Sequence, residues 1–491
     1  MKNLLTDDRQ PLKQPMLENK PHILLLINDE HRPDVQPIEG DTAIRMPMLS
    51  RFMDEGTYFR NAYTPSPVCV PARQSFLSGL YPRNCGSLNF GDPMPTEVRT
   101  IPGQLGNYGY YACCAGKMHF VGNDVMHGWR ERIGRDIIGN NGYPYHAVKD
   151  EHHAQMIPEP GTGMKQDKTA QEIRDAQPGI GHWMLHDQYN VDGAVLFLEE
   201  YFVNASYDRP KANPLCMAVS LIAPHYPYQC PLDLFNYYMP RVEPIVEEPN
   251  EQFGYSDFFR VRIGEDVTYR QAHRATAAYY GMIEWMDAQF GRVIEKLEHL
   301  NVLDDFIIVF LSDHGEMLGT KGLWEKQSYF EASARVPLSI WYPKRFGKEP
   351  RIVEQNVSLV DLFPTLCELA EIPAPDELDG RSLVPLIDGN TADWDDDDTV
   401  YSELWRAQNG PSVMVKEGNL KYFRFDNDKG WPEQLFDLSR DPDERNNLID
   451  VPDYADALSR LRAKADALPA PRRKDKNNRF IDPHCPIATI D

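Results

Sequence analysis

"HILLLINDE", residues 22–30, is a run of aliphatic side chains that turns acidic at its end. Such a short, continuous apolar run reads as a strand buried on both faces of a parallel sheet. "DFIIVFLSDHGE" (305–316) repeats the design, and "PLCMAVSLIAPHYPY" (214–228) ends instead in a histidine flanked by prolines. "YGYYACCAGKMHF" (108–120) is a fourth candidate strand. Between these runs lie helical patterns, of which "YRQAHRATAAYYGMIEWMDAQFGRVIEKLEHL" (269–300) is the longest, with apolar residues at helical spacing. Strands alternating with helices predict an α/β fold with helices on both faces of the sheet.

In such sheets ligands bind beyond the carboxyl ends of the strands. All four candidate strands carry their polar groups there: Asp29 and Glu30, Asp313 and His314, His225, and Lys117 with His119. Each pair alone is ordinary loop polarity, whereas four at one edge indicate a site. The three carboxylates and one imidazole of Asp29, Glu30, Asp313 and His314 suit a hard divalent cation: Ca²⁺, Mg²⁺ or Mn²⁺. Lys117 and His119, two apart, face the same way in an extended chain, and Gly116 before them would let a ligand approach closely. Lys326, in "GLWEKQSYFEASARVPL", is not singled out by the residues alone.

"PSPVCVPARQSFLSGLYP" (65–82) places Cys69 between two prolines. Pro67 and Pro71 argue against regular structure around the cysteine, and "ARQSFLSGL" predicts a short helix ending near Gly79. Cys69 then lies just ahead of a helix N-terminus, where amide dipoles favour negative charge, with Arg73 one turn in and able to point back at it.

The chain has 491 residues, 42% of them apolar, and a formal charge of −23 from 51 basic and 74 acidic side chains. This acidity excludes a general binder of nucleic acid or anionic membrane. The first twenty residues lack the apolar core of a signal peptide, and no run approaches a membrane span. The eight cysteines are scattered without disulfide or zinc spacing. Together these features predict a reducing, cytoplasmic setting.

The texture divides the chain into a catalytic α/β domain, 1–390, and a C-terminal α+β subdomain with a tail, 391–491. Residues 121–190 form an irregular, polar stretch with His127, His146, His152, His153, His182 and His186, read as a substrate-setting lid and not as a metal cluster. After residue 390, "PSVMVKEGNLKYFRF" and "EQLFDLSRDP" predict short antiparallel strands, and "YADALSRLRAKADAL" a helix. The tail reads as a solvated arm, with an intersubunit hook joining copies in a homo-oligomer as the alternative.

"CVPARQSFLSG" resembles the signature of the type I sulfatases, C-x-P-x-R followed by L-S/T-G. "GKMHF", "PHYPY", "SDHGEMLG", "EKQSYFEASARVPL" and "QLFDLSRDPDERNNL" resemble that family's other blocks, in its order, from about residue 22 to about 450. The resemblance implies the alkaline phosphatase-like fold: a large mixed, mostly parallel sheet sandwiched by helices, with a smaller C-terminal antiparallel part. It implies a hydrolase splitting a sulfate monoester into alcohol and sulfate. In that family a formylglycine-generating enzyme oxidises the signature cysteine, here Cys69, while its segment is still extended.

The resemblance also implies the roles. Asp29, Glu30, Asp313, His314 and the modified Cys69 would hold one divalent cation, Ca²⁺ first, with Mn²⁺ or Mg²⁺ as alternatives. Arg73 would orient the hydrated aldehyde, and Lys117, His225 and Lys326 would surround the sulfuryl oxygens. His225 or Lys326 would protonate the leaving group, and His119 would take a proton to release sulfate. The family usually carries Asp-Asp or Asp-Gln where this chain has Asp29-Glu30. "GKMHFVGNDVMHGWRERI" resembles the cytoplasmic branch that includes choline-sulfatases, so an alkyl, aryl or carbohydrate sulfate is expected, with Trp129, Trp183 and Trp405 available for an aromatic cage. The alternative is a phosphonate monoester or phosphodiester hydrolase on the same scaffold.

Overall fold

The "HILLLIN" run owes its place to two-sided burial: six of its seven residues are fully covered, and only His22 is partly so. The computed structural model describes residues 20–137, 168–203, 213–248, 259–392, 394, 397–405, 410–426, 430–475 and 477–481. Along the chain come β1 (His22–Asn28), β2 (Thr57–Tyr63), β3 (Tyr111–Gly116), β4 (Glu131–Ile133), β5 (Gln177–Pro178), β6 (Leu215–Ser220), β7 (Gln229–Cys230), β8 (Phe306–Ser312), β9 (Leu338–Trp341) and β10 (Arg351–Ser358). Eight of these build one sheet in the order β10-β2-β9-β8-β1-β6-β3-β4. β9 runs antiparallel to both neighbours, and every other pair is parallel.

Alternate side chains of the central strands feed two cores, as the period of a strand requires. Leu24, Leu26, Met217, Val219, Ile308 and Phe310 face one side, and Ile23, Leu25, Ile27, Ala218, Ile307 and Val309 the other. The first side is covered by the long Tyr269–His299 helix, opened by a capping box between Thr268 and Gln271. It presents Tyr279, Met282, Met286, Phe290 and Val293 to the sheet side. The Cys69–Ser78 and Leu362–Leu369 helices cover the second side through Phe76, Leu77, Leu362 and Phe363.

The C-terminal sheet is antiparallel, β11 (Val400–Leu404), β12 (Ser412–Glu417), β13 (Leu420–Phe425) and β14 (Gln434–Asp437), with the Ala455–Asp466 helix on one face. Its other face shares an apolar cluster with Tyr63, Val68, Tyr329 and Phe330, so it backs directly onto the segment that leads to Cys69. Glu403 of β11 donates its N–H to Pro65 O at 2.9 Å, and its carboxylate binds Arg83 at 2.5 Å. Residues 470–475 and 477–481, expected as a solvated arm, lie along the 83–97 loop while keeping several side chains exposed. Arg472 N–H reaches Arg83 O at 2.8 Å, Asn478 reaches Met94 O at 3.2 Å, and Phe480 N–H binds Glu97 at 2.9 Å. The backbone carbonyls of Arg83 and Met94 and the Glu97 carboxylate thus find donors in the tail. Residues 482–491, the remainder of the expected hook, lie outside the described residues, as do His146, His152 and His153. Among the described residues, no helix is long and apolar enough to cross a membrane.

Asp287, on the long helix, accepts from Met48 N–H at 3.1 Å and Leu49 N–H at 2.8 Å, capping the Pro47–Glu55 helix across the core. Burial lifts its pKa to about 7. A carboxyl with a folded pKa above its unfolded value retains its proton in the native state while the unfolded chain has lost it, so stability falls as pH rises from about 4 to about 7. Urea titrations of Asp287→Asn across that window are expected to show a shallower fall than the parent protein.

Candidate active site

The strand register sets the site. Asn28 pairs with Ser312, Ile27 with Ser220, and Gly116 with Ser220, so β1, β8, β6 and β3 end side by side. Asp29 and Glu30, Asp313 and His314, and Lys117 and His119 therefore leave the sheet at one edge. Gly116 is needed for a different reason than ligand approach: at φ +85°, a Cβ there would lie 2.0 Å from Ser220 O in the neighbouring strand. His225 follows β6 on a loop held by Asp187, whose carboxylate accepts from Ile222 N–H at 2.8 Å and Ala223 N–H at 2.9 Å.

Cys69 arrives from β2, a strand not read in the sequence. The helix begins at Cys69 itself, three residues earlier than expected, with Val68 as its N-cap. Pro71 falls in the first turn, where its missing N–H leaves no helical bond unmade. Gly79 ends the helix with φ 68°. All ten helical residues are buried.

Arg73, expected to point back at Cys69, is held by acceptors of the group that surrounds the cysteine. Its guanidinium forks between Asp313 Oδ2 at 2.7 Å and Asp29 Oδ2 at 2.9 Å, and also donates to Lys117 O at 2.6 Å and Ser220 Oγ at 2.9 Å. The planar fork suits two carboxylates better than an ammonium would. It engages the Oδ2 atom of each aspartate and leaves the Oδ1 atoms toward Cys69 and His314.

Asp29, Cys69, Asp313 and His314, all buried, bring one ligand atom each within 4.8 Å of one another. His314 Nδ1 lies 3.0 Å from Gly315 O, which can only accept, so the proton sits on Nδ1 and Nε2 presents its lone pair. That Nε2 is 3.1 Å from Cys69 Sγ and 3.7 Å from Asp313 Oδ1. Two carboxylates and an oriented imidazole fit a divalent cation of oxygen preference. Glu30 is absent from this group and joins Asp29 and His225 in a second one.

Lys326 Nζ lies within that second group, 2.7 Å from Glu30 Oε2 and 2.8 Å from His225 Nε2. His225 donates from Nδ1 to Tyr226 O at 2.7 Å, which leaves Nε2 to accept from the ammonium. Lys117 Nζ is 2.5 Å from Asp29 Oδ2. His119 is buried, donates its backbone N–H to Asp136 at 3.1 Å, and meets the Phe90 ring edge-on at 4.8 Å. The site thus gathers Cys69, Arg73, Lys117, His225, Lys326, Asp29, Glu30, Asp313 and His314 through direct contacts, with His119 on the turn after Lys117.

Burial and charge pull these groups in opposite directions. Burial works to raise the Asp29 pKa, but Lys117 and Arg73 outweigh it and hold the carboxyl well below its usual range. Asp313 is raised by burial in spite of Arg73. Burial and then Lys326 keep His225 well below its usual value, and burial lowers His314. The Cys69 thiol is pushed up to about 11 by burial and by Asp29. Glu30 and His119 also hold left-handed backbone, φ 66° and 61°, conformations that non-glycine residues keep only where neighbours enforce them.

Some supports carried no signal in the sequence. Ser220, Asp187, Asp136 and Phe90 act through partners far along the chain, and only the register reveals them. The described histidines of the irregular stretch lie elsewhere: His127 packs on Phe120, His182 on Trp183, and His186 binds Arg135 O. Trp129 is buried in the second core, and Trp405 donates to Glu403.

Comparison with known proteins gives the family and the fold. The sulfatase family model matches residues 21–372, and the model of the N-sulphoglucosamine sulphohydrolase C-terminal region matches residues 319–470. The choline-sulfatase of Rhizobium meliloti (strain 1021) is 32% identical over 457 residues, covering 89% of this chain and 84% of its own. The arylsulfatase of Clostridium perfringens (strain 13 / Type A) is 29% identical, covering 90% and 93%. In structure, the phosphonate monoester hydrolase of Agrobacterium radiobacter superposes with TM-score 0.69 at 22% identity, over 91% of this chain and 96% of that one. A protein solved with its substrate D-glucosamine-2-N,6-O-disulfate gives TM-score 0.70 at 20% identity, over 91% and 97%. At these identities the two superpositions establish the fold alone. The chain belongs to the sulfatase family. It is a sulfuric ester hydrolase, on a mixed, mostly parallel sheet with helices and a small antiparallel C-terminal sheet.

Arg73→Ala would leave Asp29 and Asp313 buried against each other, a change that costs about 3–5 kcal/mol when a buried pair loses one partner. The expected result is a lower urea midpoint together with loss of sulfatase activity. Arg73→Lys is expected to recover part of the stability and little of the activity, because an ammonium cannot span both carboxylates.

Proposed function

We propose that this sulfatase cleaves a small sulfate monoester at Cys69 after conversion of that residue to formylglycine, beside one divalent cation. The observation that carries the reading is the ring of charge around one buried thiol. Asp29 Oδ1 and His314 Nε2 approach its sulfur at 3.8 and 3.1 Å, Asp313 completes the donor group, and Lys117 and Lys326 bring positive charge to bear on it. Burial and Asp29 push the unmodified thiol up to about 11.

Asp29, Asp313 and His314 would hold the cation, Ca²⁺ first, with Mn²⁺ or Mg²⁺ as alternatives. When bound, the cation supplies Lewis acidity toward a sulfuryl oxygen, and the hydrated aldehyde at position 69 supplies the attacking oxygen. Arg73 fixes the two aspartates so that both offer their Oδ1 atoms to the same point. Lys117 and Lys326 bring two buried positive charges to the sulfuryl oxygens as negative charge develops there. The Lys326–His225 hydrogen bond carries the proton that leaves with the alcohol, and His119 accepts a proton from position 69 as sulfate departs.

The choline-sulfatase and arylsulfatase relatives support a small alkyl or aryl sulfate as substrate. A reducing, cytoplasmic setting is part of the proposal, on the scattered cysteine spacing of the sequence. Mass spectrometry of the Cys69 peptide, from protein made with and without a formylglycine-generating enzyme, is expected to show aldehyde in proportion to turnover of choline sulfate or 4-nitrophenyl sulfate. Undiminished turnover with Cys69 wholly a thiol would refute the assignment. Faster turnover of a phenyl phosphonate ester than of either sulfate would move the substrate to the phosphonate class.

A cation chelator is expected to abolish turnover while leaving the aldehyde in place. Readdition of Ca²⁺, Mn²⁺ or Mg²⁺, one at a time, identifies the metal by which ion restores it.

A further inference from the structure

Glu30 stands next to Asp29 in sequence, yet the two carboxylates do different work. Asp29 Oδ1 is 3.9 Å from His314 Nε2 and 3.8 Å from Cys69 Sγ. Glu30 belongs to a second group with Asp29 and His225, two of whose members bind the Lys326 ammonium. Lys326 Nζ lies 2.7 Å from Glu30 Oε2 and 2.8 Å from His225 Nε2, while Glu30 Oε2 and His225 Nε2 are 3.3 Å apart. Glu30 Oε2 is thus committed to the ammonium. The backbone of Glu30 is also fixed: its N–H donates to Asp313 Oδ1 at 3.3 Å, its carbonyl accepts from Tyr279 at 2.7 Å, and φ is 66°.

We propose that Glu30 is a positioning residue for the Lys326–His225 pair and not a ligand of the divalent cation. The reading rests on the function proposed above. Glu30 anchors one end of Lys326, so that the ammonium presents its remaining protons to His225 and to the leaving oxygen. The longer glutamate side chain reaches the lysine, and the hand-off of a proton to the alcohol depends on that reach. Its effect is therefore expected to scale with how much protonation the leaving group needs, since a basic alkoxide requires a proton that a nitrophenolate does not.

The test uses the full chain, matured by a formylglycine-generating enzyme. Bound divalent metal per chain and kcat are measured for the parent protein, Glu30→Gln, Asp313→Asn, Lys326→Ala and the double variant Glu30→Gln/Lys326→Ala. Glu30→Gln is expected to keep the parent's metal content, whereas Asp313→Asn loses it. Glu30→Gln should slow an alkyl sulfate on the order of 100-fold and 4-nitrophenyl sulfate by less than about tenfold. Adding Lys326→Ala should then cost little more, because the two act as one unit.

Loss of metal from a folded Glu30→Gln protein, equal slowing of both esters, or additive effects in the double variant would overturn the proposal. Should Glu30→Gln fail to fold, Glu30→Asp, which keeps the charge but shortens the reach, must give the same split between the two esters. A parent protein that binds metal but hydrolyses neither ester would remove the proposed function. The metal contents would then decide the assignment of Glu30 by themselves.

Discussion

One buried guanidinium organises the active edge. Arg73 ties the ends of β1 and β8 through Asp29 and Asp313, the end of β3 through Lys117 O, and the end of β6 through Ser220. Four strands and the helix bearing Cys69 thus meet at one planar group. An uncompensated arginine in such a place would be intolerable, and so would two adjacent aspartates. The arrangement is stable only when all members are present, which gives the site its fixed geometry before any substrate arrives.

The central strands were legible because burial on both faces leaves a continuous aliphatic run, and their acidic or basic ends marked the site edge. β2 and β10 were not. β2 contains Arg60 and Asn61, only partly buried, in the middle of its span, and β10 exposes Arg351, Ile352 and Glu354 at the rim of the sheet. Neither has the unbroken apolar texture that identifies an inner strand. Residues fixed by strand register, such as Lys117 and Asp313, were within reach of sequence reasoning. Lys326 was reached only through the family resemblance. It sits in an irregular stretch with left-handed backbone at Lys321, Glu325 and Gln327, and its partner Glu30 is 296 positions away.

The two places where local rules misled have local causes. Pro71 suggested a break, but the first turn of a helix has no bond for its absent N–H to make. The charged tail suggested a solvated arm, but Lys474 reaches the carbonyls of Gly86 and Pro93 and pairs with Asp92. Charge there serves contact with the 83–97 loop, whose Phe90 lies against His119. The C-terminal region is thus connected to the active edge from two directions, through the tail and through the sheet that backs the Cys69 segment.

Cys69 is 1% exposed, in the first turn of a helix covered on every side. Any enzyme that alters this side chain must therefore act before the surrounding layers close. Under the proposed conversion of Cys69, maturation would be a race against folding, run once for each molecule at synthesis. Molecules that folded first would stay in the thiol form, and the specific activity of a preparation would record the relative rates of the two processes in the cell that made it.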